Sequence, residues 1–364
     1  MYALPNELTH LSAAEISTLV KDAVKSAEAV NLVYVTDTLP GIKRVKKGKG
    51  FCYYYENKKI TDEEQLKRIR KLVIPPAWKQ VWICSVENGH LQATGLDARQ
   101  RKQYKYHPLW NTLRNHTKFH RLYEFGEALP AIRQQLERDL SLPGLQHDKI
   151  LALVVSLMER TSIRVGNSEY EKLYGSFGLT TLKDKHVTFN GTRINFQFRG
   201  KKGVHQNVSI KSRKLAYLVK KCRDIPGKEL FQFVDENSAR HAVDSGMVNE
   251  YIKKISGHDF TAKDFRTWTG TIQALIAFRE LGRPETQTAI KKKVVEALDM
   301  VSVHLGNTRT VCKKYYVHPL VVALYEDEGL DDYFSELNEI EVDDGKAGLA
   351  AEEKILMKIL ERKT

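Results

Sequence analysis

The chain has 364 residues, 42% of them hydrophobic and 28% charged, with a formal net charge of +13. That mixture excludes a disordered polymer, and no stretch offers the roughly 18 consecutive apolar residues that span a bilayer. Length alone suggests roughly two domains of about 100–200 residues each. The opening MYALPNELTH has no basic leader followed by an apolar run, so secretion is not expected and the cytoplasm is the default compartment. Cys52, Cys84, Cys222 and Cys312 lie far apart without a CxxC spacing, against both a disulfide scaffold and a zinc knuckle. Between Glu326 and Glu353 twelve acidic residues meet one base, Lys346, which leaves +24 for the rest of the chain. Such an excess suits a polyanionic partner, because each Lys or Arg that neutralises a phosphate releases a counterion. Charge alone does not exclude an ordinary solvated basic surface.

In chain order, the first thirty residues have helical spacing and read as one helix. From Leu32 the pattern changes to short alternating stretches, LVYVTD, GFCYYYENKKI and VWICSVENGHLQATG, with Asn88-Gly89 as a two-residue hairpin signal. The basic run IKRVKKGKG reads as a solvated loop, and ITDEEQLKRIRKL as a short helix stopped by the paired prolines of IPPAW. A helical connector, HPLWNTLRNHTKFHRLYEFGEAL, leads to the apolar helix HDKILALVVSLMERTSIR. VTFNGTRINFQFRGKKGVHQNVSI alternates around two turns, a three-stranded meander. Amphipathic helices follow in SRKLAYLVKKCRD, SARHAVDSGMVNEYIKKIS, TWTGTIQALIAFREL and IKKKVVEALDMVSVHLG, and an acidic segment precedes a final helix, LAAEEKILMKILERK. The expected class is α+β: a small β-rich N-terminal domain over 1–114, a larger mainly α-helical domain over 115–325 with a three-stranded β-meander, and an acidic segment with a C-terminal helix over 326–364.

The N-terminal region ends in GLDARQRKQYKYHPLW, which interleaves Arg99, Arg101, Lys102 and Lys105 with Gln103, Tyr104 and Tyr106. Cations hold phosphates, Gln and Arg reach base edges, and Tyr packs on sugars or bases, so the mixture suits a DNA groove; an exposed amphipathic strand has the same pattern. The segment GLDARQRKQYKYH resembles the DNA-contacting segment of the poxviral and bacterial type IB topoisomerases. IRVGNSEY with LTTLKDKHV, then FRGKKGVH, KDFRTWTGT and GNTRTVCKKYYVHP resemble that family's catalytic motifs in the family's order, so that the likeness spans about Leu32 to Tyr325.

The resemblance implies a role for five residues. Arg164 in IRVGN and Arg266 in KDFRTW match the arginines that hold the scissile phosphate, a task suited to a guanidinium that donates two parallel hydrogen bonds and stays charged. On its own, an Arg at the end of an apolar helix often only caps or pairs. Lys201 matches the lysine that protonates the departing 5′ oxygen, although Lys202 is adjacent and FRGKKG could be any basic turn. Tyr316 matches the nucleophile by register, nine residues after Asn307, although Tyr315 carries the same phenol. Its ordinary pKa of about 10 calls for nearby positive charge. Asn307 stands where the poxviral enzymes have histidine; it can donate a hydrogen bond but carry no proton charge.

The resemblance implies a DNA-relaxing enzyme that works through a 3′-phosphotyrosyl link, and the lack of an acidic cluster with Mg²⁺-like spacing, of GxxxxGK[ST] and of GxGxxG beside these motifs agrees with the expectation that it uses neither metal nor nucleotide. His116 and His120, at helical spacing, have no evident third zinc ligand. The implied partner is double-stranded DNA and the expected state a monomer. A tyrosine recombinase shares the chemistry but normally has histidine where Lys263 stands, and a noncatalytic DNA-binding protein leaves the ordered motifs unexplained.

Overall fold

The computed structural model describes residue 19 and residues 22–361 except 49, 98, 99, 101, 118, 120, 226, 236, 238, 328 and 338–346, with the side chains of 115–117 also outside that set. The chain divides between Arg121 and Leu122 into two units, each with its own buried cores. In the first, helix α1 (Ala23–Glu28) precedes strands β1 (Ile42–Lys47), β2 (Gly50–Tyr55) and β3 (Lys58–Lys59), helix α2 (Glu63–Lys71), strands β4 (Lys79–Ile83), β5 (Leu91–Leu96) and β6 (Lys102–Tyr106), and helix α3 (Pro108–Thr117). The strands form one antiparallel sheet in the order β3-β2-β1-β4-β5-β6. Cross-strand partners share a face, so Ile42, Ile83 and Ala93 line up under Ile69 of α2, while Lys43, Trp82, Thr94 and Tyr104 form a row on the opposite face.

Three expectations for this unit need correction. The basic run read as a loop is largely strand β1, because its alternation turns Arg44 inward, where the guanidinium lies 4.2 Å from the Phe51 ring centroid and donates to the carbonyls of Ile74, Pro75 and Trp78. LVYVTD contributes only a bridge from Val33 to Gly89. Asn88-Gly89 is not a two-residue turn: the β4–β5 ladder already ends near Cys84, whose N–H donates to Gln92 at 2.9 Å, and a wider loop follows. Of the expected N-terminal helix, α1 is described, and most of the remainder lies outside the described residues, as do His120 and the side chain of His116.

The second unit is built around α5. Its helices and strands run α4 (Arg121–Asp139), α5 (His147–Thr161), α6 (Ser168–Tyr174), β7 (Val187–Asn190), β8 (Arg193–Arg199), β9 (His205–Lys211), α7 (Arg213–Arg223), β10 (Gln232–Val234), β11 (Arg240–Ala242), α8 (Ser245–Ser256), α9 (Ala262–Leu281), α10 (Gln287–Leu305), α11 (Arg309–Tyr315), α12 (Pro319–Glu326), α13 (Asp331–Leu337) and α14 (Ala351–Glu361). Every residue of α5 from Ile150 to Met158 is buried, as expected of a helix apolar on all sides. The meander β7-β8-β9 forms as its alternation predicts, with Ile194, Phe196 and Phe198 turned into the core. The stretch SARHAVDSGMVNEYIKKIS is not one helix. Its first part pairs as the β10–β11 hairpin, where Asp235 accepts from the N–H groups of Asn237 and Ala239, and Asp244 caps α8 by accepting from Met247 at 2.9 Å. The architecture is α+β. Among the described residues no helix is long and apolar enough to cross a membrane.

Phe125 is fully buried, edge-on to Phe260 and Phe265 with centroids 5.3 and 4.9 Å away. Phe125→Ala should lose about 3–5 kcal/mol of stability, read by denaturant unfolding.

Candidate active site

Helix α5 does not reach Arg164. It stops at Thr161 because Ser162 adopts a left-handed conformation, φ 54°, and the chain then runs through buried Ile163 into a loop that carries Arg164. That loop is held by the Leu179 and Thr180 N–H groups, which donate to the carbonyls of Arg164 and Val165 at 2.9 and 2.7 Å. The approach requires glycine: a Cβ on Gly178 would meet the Arg164 carbonyl at 2.6 Å. Gly166, at φ +103°, occupies a conformation that side chains disfavour.

Arg266 lies early in α9 and is only 5% exposed. Its Nη1 donates to the Ser162 carbonyl and its Nη2 to the Leu305 carbonyl, the latter at 2.8 Å. Arg164 Nη2 donates to Asn307 Oδ1, and to the Gly306 carbonyl at 3.1 Å. Among the described residues no carboxylate pairs with either guanidinium. Within the site, Arg266 Nε and Asn307 Nδ2 are buried with no hydrogen-bond partner among the described residues. Burial pushes Arg164 down to about 10, aided by repulsion from Arg266, and burial also lowers Arg266. Both remain cationic at neutral pH. A buried charge without a counter-ion is costly, so the arrangement is suited to accept an anion.

Tyr316 closes α11, its N–H donating to Cys312 at 2.9 Å and its carbonyl accepting from Thr271 at 3.2 Å. Gly270 makes this possible, since a Cβ there would meet the Tyr316 carbonyl at 2.6 Å and its Cβ at 2.9 Å. The Arg266 guanidinium lies 5.3 Å from the Tyr316 ring centroid. Lys201 sits in the tight turn between β8 and β9, with the strained backbone at Lys202, φ 61°, and the Lys201 ammonium 5.8 Å from the Tyr170 ring centroid. A cleft of about 260 Å³ has Arg164, Lys201, Arg266 and Tyr316 among its walls, but neither Lys202 nor Tyr315. Asn307 stands behind Arg164, on the turn that Gly306 makes at φ 58° after α10.

Sequence reasoning missed Tyr170 and Lys263, which line the same cleft, and His304, whose Nε2 lies 3.3 Å from Ser162 Oγ. The quoted IRVGNSEY contains Tyr170, and Lys263 was weighed only as an absent histidine; nothing in the sequence places His304 beside Ser162. No three His, Cys, Asp or Glu side chains converge to hold a metal among the described residues.

In the first unit β6 carries Lys102, Gln103, Tyr104 and Tyr106, while Arg99 and Arg101 lie outside the described residues. Tyr104 and Tyr106 are 48% and 39% exposed and stacked with centroids 6.0 Å apart; Lys102 is beside them, paired with Asp37 at 2.6 Å. Gln103 is not grouped with them. Strand alternation turns it to the other face, where its Nε2 donates to Asp97 at 3.1 Å.

Residues 102–339 match the family model described as the catalytic core of eukaryotic DNA topoisomerase I, and residues 50–97 match that of the bacterial DNA topoisomerase IB N-terminal domain. This chain belongs to the type IB DNA topoisomerases. It is 33% identical to DNA topoisomerase 1B of Acanthamoeba polyphaga mimivirus over 297 residues, 79% of this chain and 88% of the relative. It is 24% identical to DNA topoisomerase 1B of vaccinia virus strain Western Reserve, over 66% of this chain and 74% of the relative, and 24% identical to DNA topoisomerase 1 of rabbit fibroma virus, over 61% and 68%. The topoisomerase is thus an isomerase that acts on DNA, and the matched catalytic core contains the whole cleft.

Gly270→Ala would push Tyr316 away from Arg266 while leaving every charged group in place. Misplacement on the scale of an ångström costs up to about 100-fold, so plasmid relaxation should slow by roughly 10- to 100-fold with DNA affinity unchanged.

Proposed function

We propose that this topoisomerase relaxes supercoiled duplex DNA by transient cleavage of one strand through a 3′-phosphotyrosyl link to Tyr316, without metal or ATP. The observation that carries the reading is a buried and a half-buried guanidinium, Arg266 and Arg164, neither paired with a carboxylate among the described residues, set in one cleft with a tyrosine and an exposed lysine. The phosphate of one DNA strand supplies the missing anion. Arg164 and Arg266 donate to its nonbridging oxygens, and Asn307 Nδ2 supplies one further hydrogen bond. The Tyr316 phenolic oxygen attacks phosphorus and loses its proton to water, the bond to the 5′ oxygen breaks, and Lys201 gives that oxygen a proton. Reversal of the same step reseals the strand, because the phosphotyrosyl ester conserves the bond; torque in the duplex drives the rotation between the two steps.

Under this reading the N-terminal region, residues 1–114, grips the duplex, with Lys102, Tyr104 and Tyr106 on the exposed face of β6 touching backbone and bases, Arg99 and Arg101 adding to that contact, and Gln103 bonded to Asp97 on the other face. Residues 115–325 perform the chemistry. The reading carries with it the expectation of a monomer acting in the cytoplasm on the nucleoid.

Relaxation should persist in EDTA without nucleotide, and Tyr316→Phe should bind plasmid yet leave no DNA attached to protein after detergent trapping; an adduct in that variant would move the role to Tyr315. Loss of a single transition-state donor typically costs about 10²–10³-fold, the range expected for Arg266→Ala, with a smaller deficit for Asn307→Ala. Lys201→Ala should recover on DNA whose bridging 5′ oxygen is sulfur, since a thiol of pKa about 8.5 departs without a proton donor; failure to recover would remove Lys201 from that role.

A further inference from the structure

Helix α14 lies beyond residue 339, where the match to the catalytic-core family ends, yet it places a carboxylate deep in the second unit. Glu353 is 7% exposed. Its two oxygens accept from Arg133 in a bidentate pair, Nη1 and Nη2 each at 2.9 Å, and Oε1 also accepts from the Trp268 indole at 2.9 Å. Arg133 Nε reaches Glu159 at 2.7 Å, and Nη1 also donates to the Gly348 carbonyl at 2.8 Å. Burial opposes ionisation of Glu353, but Arg133 and Trp268 outweigh it and hold the carboxyl below the usual range.

Each end of this network lies on an element that also positions one of the two arginines. Trp268 follows Arg266 on α9 by two residues, and Glu159 stands on the last turn of α5, three residues before the Ser162 carbonyl that accepts from Arg266 and five before Arg164. Gly126 of α4 leaves the space, since a Cβ there would meet Met357 Sδ at 2.2 Å and the Trp268 ring at 2.6 Å. A second pair, Arg279 to Glu352 at 3.2 Å, ties α9 to α14 near the surface.

We infer that Glu353 is a positioning residue for the reaction: through Arg133 and Trp268 it clamps α9, which bears Arg266, against the end of α5, from which the Arg164 loop springs. The inference rests on the reading of Arg164 and Arg266 given above and adds to it a dependence on the C-terminal helix. Arg266 has a rigid, half-satisfied guanidinium whose aim is set by the separation of α9 from Ser162. A helix that bridges both elements sets that separation.

The test compares Glu353→Gln with Glu352→Gln, which removes only the outer pair. At saturating duplex, single-turnover formation of the covalent adduct should slow about 10-fold or more in E353Q, with the noncovalent Kd for DNA within 2-fold of the parent and E352Q at the parent rate. The side-chain Nε–H resonance of Arg266, identified by its loss in Arg266→Lys, should shift in DNA-free E353Q and stay put in E352Q. Trp268→Phe, which keeps the Arg133–Glu353 pair, gives a milder route should E353Q fail to fold; a several-fold slowing and the same direction of shift are expected. An unchanged adduct rate and an unmoved Arg266 resonance in a folded variant would overturn the clamp. A parent protein that forms no adduct at all would count against the proposed reaction instead, and the resonance would still report on the clamp.

Discussion

Two guanidinium charges held a short distance from a tyrosine, with main-chain carbonyls rather than carboxylates as partners, are the constraint around which the second unit is arranged. Carbonyls fix the direction of an arginine without cancelling its charge, whereas an Asp or Glu in the same place would do both. Ser162, Leu305 and Gly306 supply those carbonyls, and each stands at or near the end of a helix, where carbonyls are left over from the helical ladder. The ends of α5 and α10 are thus put to use. The left-handed residues Ser162 and Gly306 stop these helices where their spare carbonyls meet Arg266 and Arg164.

The neighbouring parts follow from that requirement. A buried helix, α5, gives the Arg164 loop a fixed origin, and Gly178 and Gly270 allow backbone and tyrosine to come closer than a side chain would permit. Lys201, by contrast, rides on a hairpin turn, exposed, with its ammonium 5.8 Å from the Tyr170 ring centroid, which under the proposed reaction suits a group that meets its oxygen late. Under the proposed reaction, phosphate binding and proton donation thereby fall to different kinds of secondary structure.

Much of this was legible in the sequence because the informative residues stand in short motifs that follow a family's order: Arg164, Lys201, Arg266 and Tyr316 are far apart in the chain but meet in one cleft. The meander and the long apolar helix were readable from period alone. What was not readable depends on approach in space. Tyr170, Lys263 and His304 enter the site only because loops and helix ends converge there, and nothing in the expected final helix, LAAEEKILMKILERK, tells that its Glu353 is buried with Arg133. The β10–β11 hairpin was hidden by an apolar pattern compatible with a helix, until Asp235 and Asp244 are seen to close the turn and start α8. Grouping Gln103 with Tyr104 and Tyr106 ignored a period of two that the sequence already contained.

The central claim, that a DNA phosphate completes an otherwise uncompensated arginine pair, is tested most directly by removing charge from each side in turn. Cleavage rates would be measured for the parent and Arg266→Ala on duplexes with either a phosphodiester or an uncharged methylphosphonate at the scissile position. If the guanidinium acts on the charged oxygens, the penalty of the substitution should be large on the phosphodiester and nearly vanish on the methylphosphonate, the signature of two groups that interact. An equal penalty on both duplexes would contradict the account.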